Sequence, residues 1–516
     1  MMRDIAGRAL VCGAALLLCG SQAMADTQIV WARDGDIDSL DPQRATSTLS
    51  RMVWYQIYDS LLEFSPSGEL VPALARSWDI DNDGLHVTFH LQEGVKCHDG
   101  NDFTAEDVEF TADRALDEEN PSLTKASWGP ISDVVVVDEL TVRFELSEPF
   151  GAFVPFMADE FTSMLCRGAA EYGTDYGNNE AIGTGPWKFE SWVKGSEIVL
   201  VSNPDYRNFG RPVENDGAPY AERLVIQTLP EGQTRLAGLR TGSLDVIVPP
   251  VEAVSEILAD DGLRFHSVEV TGQNMFLEFS AHRFPFNDAR ARRAVAHAID
   301  FDLALDIVFE GLVSRERCPV SSGVFGNDQD FCAAHGQSYD PERAVALLDE
   351  LGYGPGNPLP IILMTWTGDN RGRLLEFFQN QLTQVGFAPS IEVMDIGTLN
   401  ARVTQENQKT DGAGTIDLMG WTWFDPDILY LLWRSPGAYE GYNNPDLDAL
   451  LDRTRTTVVP EDRLVVVQGV MSHLLEEAVH VPIYSPGWLW MYATRAELEG
   501  FTLGAFDRPL FNDVRP

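Results

Sequence analysis

Lysine is scarce in this sequence. Five lysines (Lys96, Lys125, Lys188, Lys194 and Lys409) and 37 basic residues in all stand against 79 acidic ones in 516 residues, a formal charge of −42. Such a surface repels phosphate backbones and anionic headgroups, which excludes nucleic acid as a partner. An apolar run of membrane-spanning length is also missing, since a spanning helix needs about 20 residues. The longest, Ala9 to Cys19, lies behind Arg3 and Arg8 and ahead of Ala23-Met24-Ala25. That is the layout of a cleaved secretory signal over 1–25, so the expectation is an exported chain starting at Asp26. Leu18 before Cys19 speaks against a lipid anchor.

Catalytic signatures are also wanting. No Gly-x-Ser-x-Gly elbow, His-Glu-x-x-His, Cys-x-x-Cys or phosphate-cradling glycine loop occurs. Ser122-Leu123-Thr124-Lys125 matches the Ser-x-x-Lys of penicillin-recognising acylases, but Pro121 precedes it in a turn-like stretch and Ser132-Asp133 follows too soon. Gly183-Thr184-Gly185 runs into Pro186-Trp187, not into a helix that could hold phosphate. No cofactor or metal site is expected. An exported hydrolase survives only as a distant alternative.

Cysteine is sparse too. Beyond residue 25 there are four, Cys97, Cys166, Cys318 and Cys332, an even count that reads as two disulfides in an exported chain. Three pairings exist; proximity favours Cys318–Cys332, leaving Cys97–Cys166.

What is present is mixed periodicity in every third of the chain. "LHVTFHL" (85–91) alternates as a half-buried strand, which spaces His86 and His90 too far apart along one face to share a zinc. After the turn Asp99-Gly100-Asn101, Thr104 and Asp107 head a capped helix, "AEDVEFTADRAL". Two strands joined at Asp138-Glu139 are expected in 134–146, and another strand in 194–206. One apolar helical face spans 287–302, and others lie at 341–351, 371–386, 444–455 and 461–478. The class is α/β, with no repeat and no long linker.

Several segments resemble the large extracytoplasmic solute-binding proteins of ABC importers, family 5, which includes dipeptide-, oligopeptide- and nickel-binding proteins. They are "SLDPQ" (39–43), the block 58–108 from "YDSLLEFSPSGEL" to "CHDGNDFTAEDV", "IGTGPWKF" (182–189), "PFNDARARRAVAHAID" (285–300), "GWTWFDPDILYLL" (420–432) and "YNNPDLDALL" (442–451). They stand in the family's order across nearly the whole chain.

The resemblance implies a two-lobed periplasmic-binding-protein fold with an extra subdomain in lobe I. Lobe I would be 26–272 with a return at 482–516, its added subdomain 69–182, and lobe II 281–481. Crossings near 273–280 and 480–487 would form the hinge of a monomer that closes on a small solute and delivers it to permease subunits from the periplasm. The stretch "GVKCHDGNDFTAEDV" (94–108) would fall in the added subdomain, with Cys97 at a position usually aromatic or apolar.

Where peptide-binding relatives carry an aspartate for the α-ammonium, three residues after the Trp of the Gly-Trp segment, this chain has Phe424; Asp425 follows. A short peptide remains the leading ligand class. An oligosaccharide, an opine-like or quaternary ammonium compound, or a metal chelate is the alternative. Trp421, Trp423 and Phe424, with Trp366, Tyr439 and Tyr442 as neighbours, suit stacking or cation–π contact. Thr46, Ser47 and Thr48 resemble a position of polar contacts, Asn274 lies by a crossing, and Arg371, opening a helix, could meet a carboxylate.

Overall fold

The computed structural model describes residues 27–45, 47–120, 122–268, 270–367, 370–435, 441–485 and 491–515. The expected signal segment 1–25, Thr46 and Tyr439 lie outside the described residues. Among those described, no helix is long and apolar enough to cross a membrane.

Two large sheets carry the fold. The first has the spatial order Leu263–His266, Tyr492–Arg495, Val246–Ile247, Gln28–Arg33, Arg223–Thr228, Glu197–Ser202 and Trp187–Val193. Both ends of the chain therefore build one lobe. "QIVWAR" lies at its centre, parallel to Arg223–Thr228 and Val246–Ile247, and is buried on both faces from Ile29 to Arg33, as a parallel strand covered on both sides must be.

The second sheet has the order Ser314–Arg315, Val481–Ser485, Gln273–Phe279, Gly414–Thr422, Leu359–Trp366 and Phe387–Met394. This corrects the expected hinge. Most of segments 273–280 and 480–487 lies within one lobe: Gln273–Phe279 and Val481–Ser485 are paired neighbours inside lobe II, and 486–487 lie outside the described residues. All seven residues of Gln273–Phe279 are buried, and a strand buried on both faces belongs in a sheet interior, not in an exposed connection. Leu263–His266 of the first sheet precedes Gln273–Phe279 of the second, and Val481–Ser485 of the second precedes Tyr492–Arg495 of the first.

The added subdomain is a four-stranded antiparallel sheet, Ala75–Ile80, His86–Leu91, Thr141–Leu146 and Ile131–Asp138, beside the helix Ala105–Leu116. Strand His86–Leu91 buries Val87, Phe89 and Leu91 and half-exposes the residues between. Thr104 opens the helix, and the Asp107 carboxylate accepts the Thr104 backbone N–H at 2.9 Å. The expected helix over 287–302 is two, Ala289–Ala298 and Phe301–Phe309. Asp300 accepts the Leu303 N–H at 3.0 Å, and that cap starts a new helix where the apolar face suggested continuation.

Two disulfides staple the fold. Cys97–Cys166 spans 69 residues with Cα atoms 6.1 Å apart, and Cys318–Cys332 closes 14 residues with Cα atoms 5.2 Å apart. Next to Cys97, His98 is clasped by the Gly183-Thr184-Gly185 turn. Gly183 N–H donates to His98 Nδ1 at 3.3 Å, and His98 Nε2 lies 3.0 Å from the Gly185 carbonyl. A Cβ at Gly183 or Gly185 would strike the Ile57 carbonyl at the end of helix Thr48–Ile57, so the two glycines serve close packing.

Candidate functional site

In lobe II the strands Leu359–Trp366, Phe387–Met394 and Gly414–Thr422 run parallel, so their carboxyl ends share one edge. Trp366 ends the first, Arg371 opens the helix that follows it, and Trp421 stands on the third. In lobe I the central strand Gln28–Arg33 ends near the start of helix Thr48–Ile57: Arg33 Nη2 donates to the Leu49 carbonyl at 2.6 Å, and the Ser47 hydroxyl accepts the Ser50 N–H at 3.2 Å. Open α/β sheets bind ligands outside their carboxyl ends. The first crossing meets the Gly-Trp segment directly, since Trp423 N–H donates to the Gly272 carbonyl at 3.0 Å. A side chain at Gly272, whose φ is +70°, would press on the Phe506 ring at 2.9 Å.

Phe424 carries this segment into lobe I. It is 5% exposed, and its ring centroid lies 4.5 Å from Phe506 and 5.9 Å from Phe64. The Arg51 guanidinium sits 4.4 Å from the same centroid. Arg51 pairs with Glu160 at 2.6 Å and Asp159 at 3.1 Å, and Arg508 pairs with Glu160 and Glu63. Burial works to raise the Glu160 carboxyl, but Arg508 and Arg51 hold it down at about 2. The surface beneath Phe424 is thus a set of arginines already matched by carboxylates. One continuous core joins Trp54 and Phe64 of lobe I to Phe424 and Leu432 of lobe II, so the lobes are closed on one another.

The other sequence candidates separate. Trp421 is 39% exposed, and Trp423 packs edge-on to Phe156 of lobe I at 6.2 Å. The Arg371 guanidinium lies 3.9 Å from the Trp366 ring and donates to the Thr367 carbonyl at 3.1 Å, so it caps its own strand end. Asn274 donates to the Cys318 carbonyl at 2.7 Å; its Oδ1 finds no partner among the described residues, and the residue lines a water-sized cavity shared with Trp421, Trp423 and Ser321. Asp425 is not a ligand group here: fully buried, it accepts two hydrogen bonds from Arg463 at 2.5 and 2.8 Å and caps Asp427 N–H. Tyr442 leaves the set as well, its hydroxyl 3.0 Å from His473 Nε2 and its ring under Arg292, among the helices of lobe II.

Two interlobe cavities flank the segment. One, of about 440 Å³, touches Trp423, Phe156, Tyr430 and Arg455; the other, of about 670 Å³, touches Phe424 on the side of the added subdomain. The decoys resolve as structure. The Ser122 hydroxyl donates to the Gln43 carbonyl at 3.1 Å and the Lys125 ammonium to the Leu116 carbonyl at 3.3 Å. Of the two groupings that could hold a metal among the described residues, Cys97–Asp107–Cys166 has its thiols locked in a disulfide, and Asp81–Asp83–His86 lies on a surface turn of the added subdomain.

Residues 69–443 match the model of bacterial extracellular solute-binding proteins, family 5. The chain belongs to that family. This solute-binding protein is 27% identical over 491 residues to the glutathione-binding protein GsiB of Escherichia coli strain K12, covering 91% of each chain. Its fold is shared with the dipeptide-binding protein of Pseudoalteromonas sp. SM9913 in complex with Met-Leu (TM-score 0.74, 25% identity, 95% of this chain and 99% of the other). It is also shared with HbpA2 of Haemophilus parasuis (TM-score 0.78, 23% identity, 95% and 99%).

The sequence pointed to the Gly-Trp segment of lobe II and not to the lobe I side chains that this solute-binding protein packs against it. Phe64, Arg51, Glu160 and Phe506 carried no local signal. Phe506 and Asp507 hold left-handed conformations, φ +58° and +61°, without being glycine, a backbone choice that residue type does not announce. The Phe506 N–H bonds to the Val270 carbonyl at 2.7 Å, so this turn is tied to the crossing itself.

Proposed function

We propose that this chain is the periplasmic substrate-binding component of an ABC importer, acting as a monomer that captures one small solute between its lobes and presents the closed form to membrane permease subunits. The observation that carries this reading is the insertion of Trp423 and Phe424 of lobe II between aromatic side chains of lobe I, at a segment bonded to the crossing residue Gly272. A solute seated there touches both lobes, and only such contacts shift an open–closed equilibrium. The crossing at 270–272 serves in the hinge; exposed Trp421 and the polar Ser47 and Asn274 contact the solute. No catalytic step is assigned.

The ligand class is a short peptide, supported by the glutathione- and Met-Leu-binding relatives. A non-peptide solute is the second reading, favoured by one observation: Phe424 replaces the ammonium-binding aspartate and Arg463 occupies Asp425. Mass spectrometry of the molecule retained after native purification, with calorimetric titration of Met-Leu and glutathione, decides between them. A retained peptide, or saturable heat with either compound, supports the first; a retained sugar, opine or chelate with no heat from the peptides replaces it with the second. Product formed at catalytic protein concentration would refute both.

A further inference from the structure

The cavity of about 670 Å³ beside Phe424 is not part of the carboxyl-edge cleft. Its lobe I wall is Phe64, Leu70, Trp78, Val87 and Phe153, and its lobe II wall is Phe325 and Phe424. The volume is that of a small-molecule pocket, for which about 300–1,000 Å³ is usual.

The two lobes meet around it through backbone. At Gly68, φ +85°, a Cβ would overlap the Gly323 carbonyl; at Gly84, φ +70°, it would lie 2.8 Å from a Val458 methyl; at Gly151, 2.6 Å from the Thr457 carbonyl. Gly151 N–H also donates to the Arg455 carbonyl at 2.6 Å. Each contact joins lobe I to lobe II and each residue needs the absence of a side chain, so the chamber is bounded on both sides only when the lobes close.

Its buried charge is already matched, and the remaining charged lining residue, Glu69, is solvent-exposed. Arg463 and Asp425 border the chamber as a mutually neutral, buried pair. A charged or strongly polar group entering there would lose its water with little to replace it. An uncharged apolar group would gain by burial against aromatic walls.

We infer that this chamber is a second ligand compartment, which takes an uncharged aromatic or branched aliphatic part of the captured solute, with Phe424 as the partition between it and the carboxyl-edge cleft. The inference rests on the solute-binding reading above and narrows it to solutes with an apolar portion.

N-phenyl-1-naphthylamine, a neutral fluorescent aromatic, is the probe. One saturable site is expected on the wild-type chain. Filling the chamber with Leu70→Trp or Ile80→Trp should weaken it by about tenfold or more, the scale of overpacking a formed pocket. Val137→Trp, on an exposed strand position that does not line the chamber, should leave it unchanged. Thermal midpoints of the variants confirm folding, and either filling variant suffices alone. Non-saturable binding, or equal binding by the wild type and a folded filling variant, overturns the compartment. Failure of the solute-binding reading would show separately, as no retained molecule and no heat with Met-Leu, whatever the naphthylamine does.

Discussion

The Arg51 guanidinium of lobe I lies 4.4 Å from the ring centroid of Phe424 of lobe II. Because the arginine is also held by Asp159 and Glu160, it is a fixed platform onto which the second lobe lowers an aromatic ring. The ring's contacts with lobe I exist only in the closed form, so its loss should act on closure more than on folding.

Phe424→Ala should therefore weaken solute binding by about 2 kcal/mol, roughly thirtyfold in Kd, below the about 3–5 kcal/mol of a full core Phe→Ala loss because only one side is lost. Titration of the retained solute checks the affinity, and small-angle scattering should show a larger radius in the variant. An unchanged affinity with a lowered thermal midpoint would mean that the ring merely packs lobe II.

Removing the Cys97–Cys166 bridge by Cys97→Ala/Cys166→Ala should destabilise the protein by about 4 kcal/mol, from the chain entropy of a loop this long. The effect should appear in denaturant melts monitored in the added subdomain. Solute affinity in the native baseline should be retained, because the bridge lies away from the Gly-Trp segment.

Arg463→Met should cost about 3–5 kcal/mol by leaving the buried Asp425 carboxylate uncompensated. Arg463→Met/Asp425→Asn should recover much of that loss, since a buried pair replaced as a unit leaves no bare charge. Equal melts for the single and double variants would contradict the pairing.

The pH dependence has two arms. Burial lowers the His98 imidazole to about 4 and His480 to about 3 from 6.5. The unfolded chain binds more protons in that window, so this stability is whole above 6.5 and is lost as pH falls. Glu278 and Asp417 face each other across paired strands. Burial, then the Glu406 carboxylate, pushes Asp417 up to about 8 from 3.8 against Arg402 and Arg283, while burial and Asp417 push Glu278 well above its ordinary range. There the folded state binds the extra proton, so stability is whole below 3.8 and is lost as pH rises to about 8. Asp417→Asn should flatten the decline in thermal midpoint between about pH 6 and about pH 8.5 and leave the acid arm alone. An unchanged slope would rule out Asp417 as its source.

The sequence was most informative where physics is short-range. Thr104 with Asp107, the alternation at 85–91, and the turn after Cys97 all follow from contacts within a few residues. The expected hinge segments fall largely inside lobe II because 273–279 and 481–485 sit where family spacing suggests a crossing, while their pairing depends on strands that arrive from 414–422 and 314–315. The candidate site was legible only in part of its lobe II segment. Trp421 and Phe424 could be named from the family resemblance, but the occupation of Asp425 by Arg463, 38 residues on, could not.

By itself the sequence determined the α/β class, the capped helices, the strand alternation and the cysteine inventory, because each is settled by side-chain period, local hydrogen bonding or simple count. Only the tertiary structure decided that His98 is a clasp for Gly183 and Gly185, that Asp425 is neutralised, and that Phe424 rests on Arg51. These partners are separated by dozens to hundreds of residues. Which of many carboxylates or rings meets a given arginine is fixed when the two sheets and the subdomain pack, not by any pattern along the chain.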